Sequence, residues 1–89
     1  MVRQKIIIHN PEGLHLRPAG VFAQQMDVFD CEITIRYKGT RVNGKSLLSI
    51  LAACIKCGDE IDIECEGPEE HEAIARAIEL IETGFAGLL

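Results

Sequence analysis

Apolar and polar residues alternate along short stretches of the chain, a pattern typical of β-strands with one buried face. The alternation is strictest from Glu60 to Glu66, where four acidic residues separate three apolar ones. The turn sequence Asn-Pro-Glu-Gly at 10–13 would end the first stretch, and Lys38-Gly39 would fold a later one into a hairpin. The four predicted strands are Val2–Ile8, Cys31–Tyr37, a short strand around Arg41 and Val42, and Glu60–Glu66.

Between these strands, apolar residues recur every three or four positions, which predicts three helices. The first begins at Leu16 and runs to about Asp27, and the second opens at Ser46 and ends near Gly58 in a left-handed stop. The third follows Gly67-Pro68 and is acidic in its first turn, which suits the positive end of a helix. The predicted apolar faces are Ala19, Phe22, Ala23 and Met26, then Leu47, Ile50, Leu51, Cys54 and Ile55, and finally Ile74, Ala77, Ile78 and Ile81.

The resulting order is β-α-β-β-α-β-α, which predicts an α+β fold. Because the strands alternate, we expect an open-faced sandwich: a four-stranded antiparallel sheet with three helices on one face and solvent on the other. The chain has 89 residues, 47% of them hydrophobic and 26% charged. This length and composition predict a single globular domain over residues 1–89.

The charge and hydropathy of the chain exclude several functional classes. Nine basic and fourteen acidic side chains give a net charge of -5, which argues against nucleic-acid binding. No apolar run approaches the roughly 18 residues that span a bilayer, and the first residues show no signal-peptide cleavage site. We therefore expect a cytoplasmic protein that does not insert into a membrane.

The four cysteines are expected to be reduced and mostly buried, because no secretory signal is present. Cys54 and Cys57 have the C-x-x-C spacing of redox sites and of half a zinc site, but the chain has no second such pair. The pair would lie at the negative end of a helix, which disfavours a thiolate. No metal or cofactor is therefore predicted, and a thiol redox or metal module remains the alternative from another functional class.

One histidine lies at the predicted boundary between a turn and a helix. In the sequence Gly-Leu-His-Leu-Arg-Pro-Ala of residues 13–19, His15 would occupy the cap. Leu16 and Arg17 would offer backbone N–H groups without an intrahelical partner, a setting that attracts anions. The Arg17 guanidinium would add a fixed charge suited to phosphate oxygens. His15 is thus a candidate phosphate acceptor, although a capping or solvent-facing histidine would give the same pattern.

This segment resembles the active-site signature of HPr, the histidine-containing phosphocarrier of the phosphoenolpyruvate-dependent sugar phosphotransferase system. The family signature is usually Gly-Leu-His-Ala-Arg-Pro-Ala, from which only Leu16 departs. Residues 43–48, Asn-Gly-Lys-Ser-Leu-Leu, resemble the family's regulatory serine segment. The predicted element order is also that of the HPr fold, so the resemblance covers essentially the whole chain and implies one HPr-like phosphocarrier domain.

The resemblance implies that His15 takes a phosphoryl group on Nδ1 from phosphorylated enzyme I and gives it to the A component of a sugar permease. Arg17 would steady the group in transit, and partner enzymes would share the catalysis, so the chain would not be a stand-alone enzyme. The resemblance also implies a monomer whose Leu47, Leu48 and Leu51 contact these partners. The departure at Leu16 adds bulk beside the site and bears on partner choice.

Ser46 has two compatible interpretations. The pattern favours a helix N-cap, which contributes roughly 1 kcal/mol. The resemblance implies a regulatory phosphorylation site, with a Ser46 kinase and phosphorylase and a catabolite-control repressor as further partners. A phosphate on Ser46 would lie next to Leu47 and Leu48 in the implied contact surface.

Two expectations concern the surroundings of His15. Glu12 would oppose a phosphate if it pointed towards the histidine, so an outward orientation is expected. Arg17, Arg41 and Lys45 are expected to form a local positive patch on the His15 side, which would suit acidic partner surfaces.

The main rival function lies within the same family. It is a regulatory relative that binds a repressor or an enzyme, or a phosphocarrier for a nitrogen-linked or dihydroxyacetone branch. The presence of His15 disfavours a regulator that cannot be phosphorylated at this position.

Overall fold

The computed structural model describes residues 1–89 as four strands and three helices in the predicted order. All strand pairs are antiparallel, and the spatial order of the strands is β1-β4-β2-β3. The predicted α+β open-faced sandwich is confirmed. The elements are β1 Val2–Ile7, α1 Leu16–Asp27, β2 Glu32–Tyr37, β3 Thr40–Asn43, α2 Leu47–Ala53, β4 Glu60–Glu66 and α3 Glu70–Glu82.

The core lies between the helices and one face of the sheet. Ile61, Ile63 and Cys65 of the central strand β4 are buried, as their alternation predicted. Ile6 of β1 lies opposite Ile61, and Ile35 of β2 lies opposite Ile63, so apolar partners stack across three strands. Each fully buried isoleucine contributes about 1.5–3 kcal/mol, and this burial fixes the register because a one-residue slip would expose the whole set.

The other face of the sheet carries opposite charges on neighbouring strands. Glu64 of β4 lies between Arg3 of β1 and Arg36 of β2, with ion-pair distances of 3.1 and 3.4 Å. The long arginine side chains cover the Glu64 carboxylate, whose side chain is only 8% exposed. The predicted solvent-facing surface is therefore correct for the strand, but one of its four acids is buried within an ion-pair ladder.

The second helix is shorter than its sequence pattern predicted. It ends at Ala53 because Cys54 adopts the left-handed conformation, with φ of 55°, and donates its backbone N–H to the Leu51 carbonyl. Ile55 is buried after the helix has ended, and Cys54 is exposed. Gly58 also has a positive φ, but it lies in the turn before β4 and donates its N–H to Ile8.

Two further predictions about burial are corrected. The buried face of α3 consists of Ala73, Ala77, Leu80 and Ile81, whereas Ile74 and Ile78 are only partly buried at its margin. The thiols are not mostly buried: Cys65 is buried and Cys31 is half-buried, but Cys54 and Cys57 are both exposed. Burial raises the pKa of the Cys65 thiol to about 12, so this thiol stays protonated at neutral pH.

The three helices are all short. None of them is long and apolar enough to cross a membrane.

Candidate functional site

His15 occupies the N-cap of α1, as the sequence predicted. Its backbone is extended, and its carbonyl accepts the first helical hydrogen bond, from the Ala19 N–H at 3.0 Å. Its side chain makes no capping hydrogen bond and is 37% exposed. A histidine in this position usually caps the helix or faces solvent, but here the imidazole makes no bond to the helix and remains available for chemistry.

The first turn of α1 leaves two backbone donors free beside His15. Leu16 and Arg17 precede the first residue that can donate within the helix, and Pro18 has no N–H. A depression of about 450 Å³ adjoins this turn and is lined by His15 and Arg17, by residues 10–12 of the preceding turn and by Leu89. The Arg17 side chain is exposed and makes no ion pair. The arrangement offers two N–H donors, one guanidinium and a positive helix end to an anion.

The turn before His15 is held against the loop that follows α2. Gly13 donates its N–H to the Asn10 carbonyl at 2.9 Å, which closes the predicted turn, and has φ of 68°. The buried Leu14 donates its N–H to the Ile55 carbonyl at 3.0 Å. Asn10 is itself buried and its Nδ2 donates to the Gly84 carbonyl at 3.5 Å. His15 is therefore placed by contacts on both sides of the turn.

Glu12 does not point away from the site. Its Oε2 lies 3.4 Å from Nε2 of His15, so the expected outward orientation is wrong. Gly13, whose φ is 68°, bends the chain between Glu12 and His15. Glu12 remains 76% exposed, so water screens much of its charge. The sequence alone did not identify this contact, since it depends on the direction that the side chain takes from the turn.

The predicted positive patch around His15 is not formed. Lys45 donates from Nζ to the Phe29 carbonyl, beyond the C-terminal end of α1, whereas His15 lies at the N-terminal end of this 12-residue helix. Those two ends are about 18 Å apart. Arg41 pairs in register with Arg36 on the open face of the sheet, away from the helices. Of the three predicted cations, only Arg17 adjoins the histidine.

Ser46 caps α2, as its pattern predicted. Its backbone is extended, and its Oγ accepts a hydrogen bond from the Ser49 N–H at 3.2 Å. This bond satisfies one of the free donors of the first helical turn. The cap places the Ser46 hydroxyl immediately beside Leu47, at the margin of an apolar surface.

That surface is formed by residues from both α1 and α2, and we call it the leucine patch: Leu16, Leu47, Leu48 and Leu51. Leu48 is 77% exposed and Leu16 is 60% exposed, whereas Leu47 and Leu51 are half-buried. The two helices meet where Gly20, one turn after Leu16, faces Leu47: a Cβ on Gly20 would lie 4.0 Å from the Leu47 Cδ1. The patch therefore extends from α2 to the residue next to His15.

The Cys54 and Cys57 pair lies close to the His15 turn but does not resemble a metal site. The Cys54 Sγ is 3.7 Å from the Leu51 carbonyl, and the Cys57 Sγ is 3.7 Å from the His9 carbonyl. No group of three or more histidine, cysteine or acidic side chains is arranged to hold a metal ion. The pair follows the C-terminal end of α2, where the helix dipole does not favour a thiolate.

Comparisons with known proteins agree with the fold. Residues 2–83 match the family model described as "PTS HPr component phosphorylation site". The chain is 37% identical over 82 residues to phosphocarrier protein HPr of Chlamydia muridarum, covering 92% of this chain and 79% of that protein. It is 36% identical over 85 residues to phosphocarrier protein NPr of Escherichia coli, covering 94% of each.

Structural comparison gives the same result. The crystal structure of HPr from Thermoanaerobacter tengcongensis aligns over the full length of both chains, with a TM-score of 0.94 and 35% sequence identity. In sequence, the chain is also 30% identical over 76 residues to the HPr-like protein Crh of Bacillus subtilis, covering 85% of this chain and 89% of that protein. With a histidine as the N-cap of α1 and these similarities along its length, the chain belongs to the HPr family of phosphocarrier proteins.

Proposed function

We propose that His15 accepts a phosphoryl group on Nδ1 from phosphorylated enzyme I and passes it to A components of sugar permeases. The single observation that carries this proposal is the His15 imidazole, which makes no capping hydrogen bond, beside the unpaired N–H groups of Leu16 and Arg17. Neutral imidazole is a nucleophile, and the donors around it are placed to receive the oxygens of a transferred phosphoryl group. The protein would act in the cytosol as a monomer.

The transfer chemistry needs little from this chain beyond positioning. The Nδ1 lone pair attacks phosphorus, a new N–P bond forms, and the bond to the donor's leaving group breaks with its electron pair staying on the donor. Arg17 and the helix end then balance the charge of the bound phosphoryl group. The reverse sequence, with an acceptor on the A component, returns His15 to neutral imidazole. Partner enzymes would supply the rest of the catalytic site.

The leucine patch would be the surface on which these partners dock. It is apolar, largely exposed in Leu16 and Leu48, and adjoins the histidine, so a partner seated on it would bring its own reactive group to His15. Ser46 lies at the margin of the same patch. Phosphorylation of Ser46 by a kinase, and its reversal by a phosphorylase, would therefore change docking, and the modified form would be available to a catabolite-control repressor.

A two-step transfer assay tests the proposal. The protein is incubated with phosphoenolpyruvate and enzyme I, separated from both, and then mixed with an A component. We expect an acid-labile phosphate on the protein after the first step and on the A component after the second. A protein that gains no phosphate in the first step would contradict the proposal, and one that gains phosphate but cannot pass it on would contradict the transport role.

A nitrogen-linked branch is the second candidate function. The observation that favours it is the 36% identity with phosphocarrier protein NPr, which is nearly equal to the identity with the HPr relative. The assay above separates the two when it is run with the enzyme I of each branch. Faster phosphorylation by the sugar-branch enzyme supports the first proposal, and faster phosphorylation by the nitrogen-branch enzyme supports the second. A dihydroxyacetone branch is tested in the same assay with its own donor.

A further inference from the structure

We propose that Glu12 is a positioning residue for His15, a role that rests on the proposed function. Its carboxylate would accept a hydrogen bond from Nε2–H of the imidazole and so hold the lone pair of Nδ1 towards the incoming phosphoryl group. The observation behind this is the 3.4 Å separation between the Glu12 Oε2 and the His15 Nε2. Nδ1 is the other ring nitrogen, and the proposed transfer uses it.

The turn holds Glu12 in reach of the ring. Glu12 lies between Pro11 and Gly13 in the turn closed by the Asn10 and Gly13 backbone hydrogen bond. Its side chain is exposed, and a small rotation would convert the 3.4 Å contact into a hydrogen bond of ordinary length. Hydrogen bonds in catalytic sites are often long before the partner binds and shorten in the reacting complex.

A carboxylate on Nε2 determines which nitrogen carries the proton. In a neutral imidazole one nitrogen is the donor and the other has the lone pair, and the hydrogen bond made by the first fixes the identity of the second. With Glu12 accepting from Nε2–H, Nδ1 has no proton to lose before it attacks phosphorus. The same bond limits rotation of the ring and so fixes the direction in which Nδ1 points.

The charge of Glu12 changes the transfer equilibrium little, because two effects oppose each other. When Nδ1 binds phosphorus and Nε2 keeps its proton, the ring becomes a cation next to the carboxylate. The phosphoryl group carries up to two negative charges but lies about twice as far from Glu12, across the ring, so attraction and repulsion largely cancel. Arg17 is the other charged side chain lining the depression. The function of Glu12 is therefore to orient the ring rather than to drive the transfer in one direction.

The experiment compares Glu12→Ala, which removes the acceptor, with Glu12→Gln, which keeps an acceptor oxygen without the charge. Glu72→Gln is the matched control, because Glu72 is exposed in the first turn of α3, at the end of the molecule where Glu69 bonds to Asp30. Nitrogen NMR shifts of the histidine side chains report the tautomer without any partner protein, and His9 and His71, both exposed, provide internal references. Phosphorylation rates with enzyme I provide the second measurement.

We expect wild-type His15 to be more fully in the Nε2–H form than His9 and His71, and Glu12→Ala to bring it to their level. Glu12→Ala should also slow phosphorylation roughly three- to tenfold, since orientation of the nucleophile is lost. Glu12→Gln should retain most of both properties, and Glu72→Gln should match wild type. Unchanged nitrogen shifts or an unchanged rate in Glu12→Ala would overturn the role of Glu12. A wild-type protein that accepts no phosphate would instead contradict the proposed function.

Discussion

At the scale of single residues, Arg17 is the one fixed positive charge beside His15. It makes no ion pair and is exposed, so Arg17→Ala should change stability by no more than about 0.5 kcal/mol. Its charge-assisted hydrogen bonds to a phosphoryl group would contribute about 1.5–3 kcal/mol. We therefore expect Arg17→Ala to slow transfer roughly tenfold or more, both from enzyme I and to an A component. Phosphorylation assays quenched at successive times measure both rates. Wild-type rates in both directions would show that Arg17 is only a surface charge.

Gly13 is required at its position for two separate reasons. Its φ of 68° is unfavourable for other residues, and a Cβ there would lie 2.3 Å from the Ile55 carbonyl oxygen. Gly39 is the matched control, because its φ is 78° but no atom lies within 4 Å of its Cβ position. Gly39→Ala should cost about 1–2 kcal/mol for the backbone conformation alone.

Gly13→Ala should therefore destabilise the protein clearly more than Gly39→Ala does. It should also slow phosphorylation of His15, because the clash moves the turn away from the Ile55 carbonyl. Urea unfolding of the two variants gives the comparison of stability, and the enzyme I assay gives the rate. Equal losses of stability in the two variants would show that the loop after α2 moves to accept the added Cβ and does not hold the turn before His15 in place.

At the scale of elements, α2 combines a structural cap with the proposed docking surface. Ser46→Asp keeps a good N-cap and places a negative charge at the positive helix end, so the helix should remain. The same charge lies beside Leu47 and Leu48, where a docking acidic partner would be repelled. We expect near wild-type circular dichroism and melting temperature together with a sharply reduced rate of His15 phosphorylation, and a smaller reduction at high salt.

Ser46→Ala is the control for this variant. It removes the hydrogen bond to the Ser49 N–H without adding charge, so it should cost roughly 1 kcal/mol of stability and leave the phosphorylation rate near wild type. If Ser46→Asp unfolded the protein, the residue would be a structural cap only. If its kinetics were unchanged, Ser46 would lie outside the docking surface.

The helices differ in how far their sequence determined their bounds. The limits and buried face of α1 followed from its periodicity, with Pro18 in the first turn and His15 as the cap. The end of α2 could not be predicted in this way, because Ile55 continues the apolar spacing of the helix. In the structure Ile55 lies outside the helix, where its side chain is buried and its carbonyl accepts a hydrogen bond from the Leu14 N–H. Cys54 adopts a left-handed conformation that nothing in the local sequence predicts. Tertiary contacts decided that boundary.

At the scale of the whole molecule, a hydrogen bond between Tyr37 and Asp59 links the end of β2 to the loop before β4. The Tyr37 hydroxyl and then the Lys56 N–H, both donating to Asp59, hold the pKa of that carboxyl below its usual 3.8. The contribution of ionised Asp59 to stability is therefore present above pH 3.8 and is lost as the pH falls through the lowered pKa of this carboxyl. The bond to Asp59 also raises the pKa of Tyr37 above 10.0, so this second contribution is present below pH 10.0 and is lost as the pH rises.

Tyr37→Phe should therefore flatten the dependence of stability on pH at both the acid and the alkaline end. Asp59→Asn should remove only part of the dependence of stability on pH at the acid end. The rest remains because the Gly67 N–H and the chain's amino terminus also lower the pKa of Glu70. Urea unfolding from about pH 2 to about pH 11 measures both variants against wild type. A Tyr37→Phe curve parallel to wild type at both ends would show that this bond contributes nothing that depends on pH.

The site is less predictable from sequence than the fold. Alternation and helical spacing located the sheet, the helices and His15, because each depends on residues close together in the chain. The distance of Arg41 and Lys45 from the histidine depends on how strands and helices pack. The approach of Glu12 to Nε2 depends on one side-chain direction. Local sequence patterns do not determine these features, because they depend on tertiary packing and on side-chain direction.

Intact mass spectrometry after incubation with phosphoenolpyruvate and enzyme I tests whether His15 alone carries the phosphoryl group. We predict that wild type gains the mass of one phosphoryl group, that acid removes it, and that His15→Ala gains none. His9 and His71 should remain unmodified, because neither is a helix cap with free N–H donors and an arginine beside it. A His15→Ala protein that still gained an acid-labile phosphate would contradict the account.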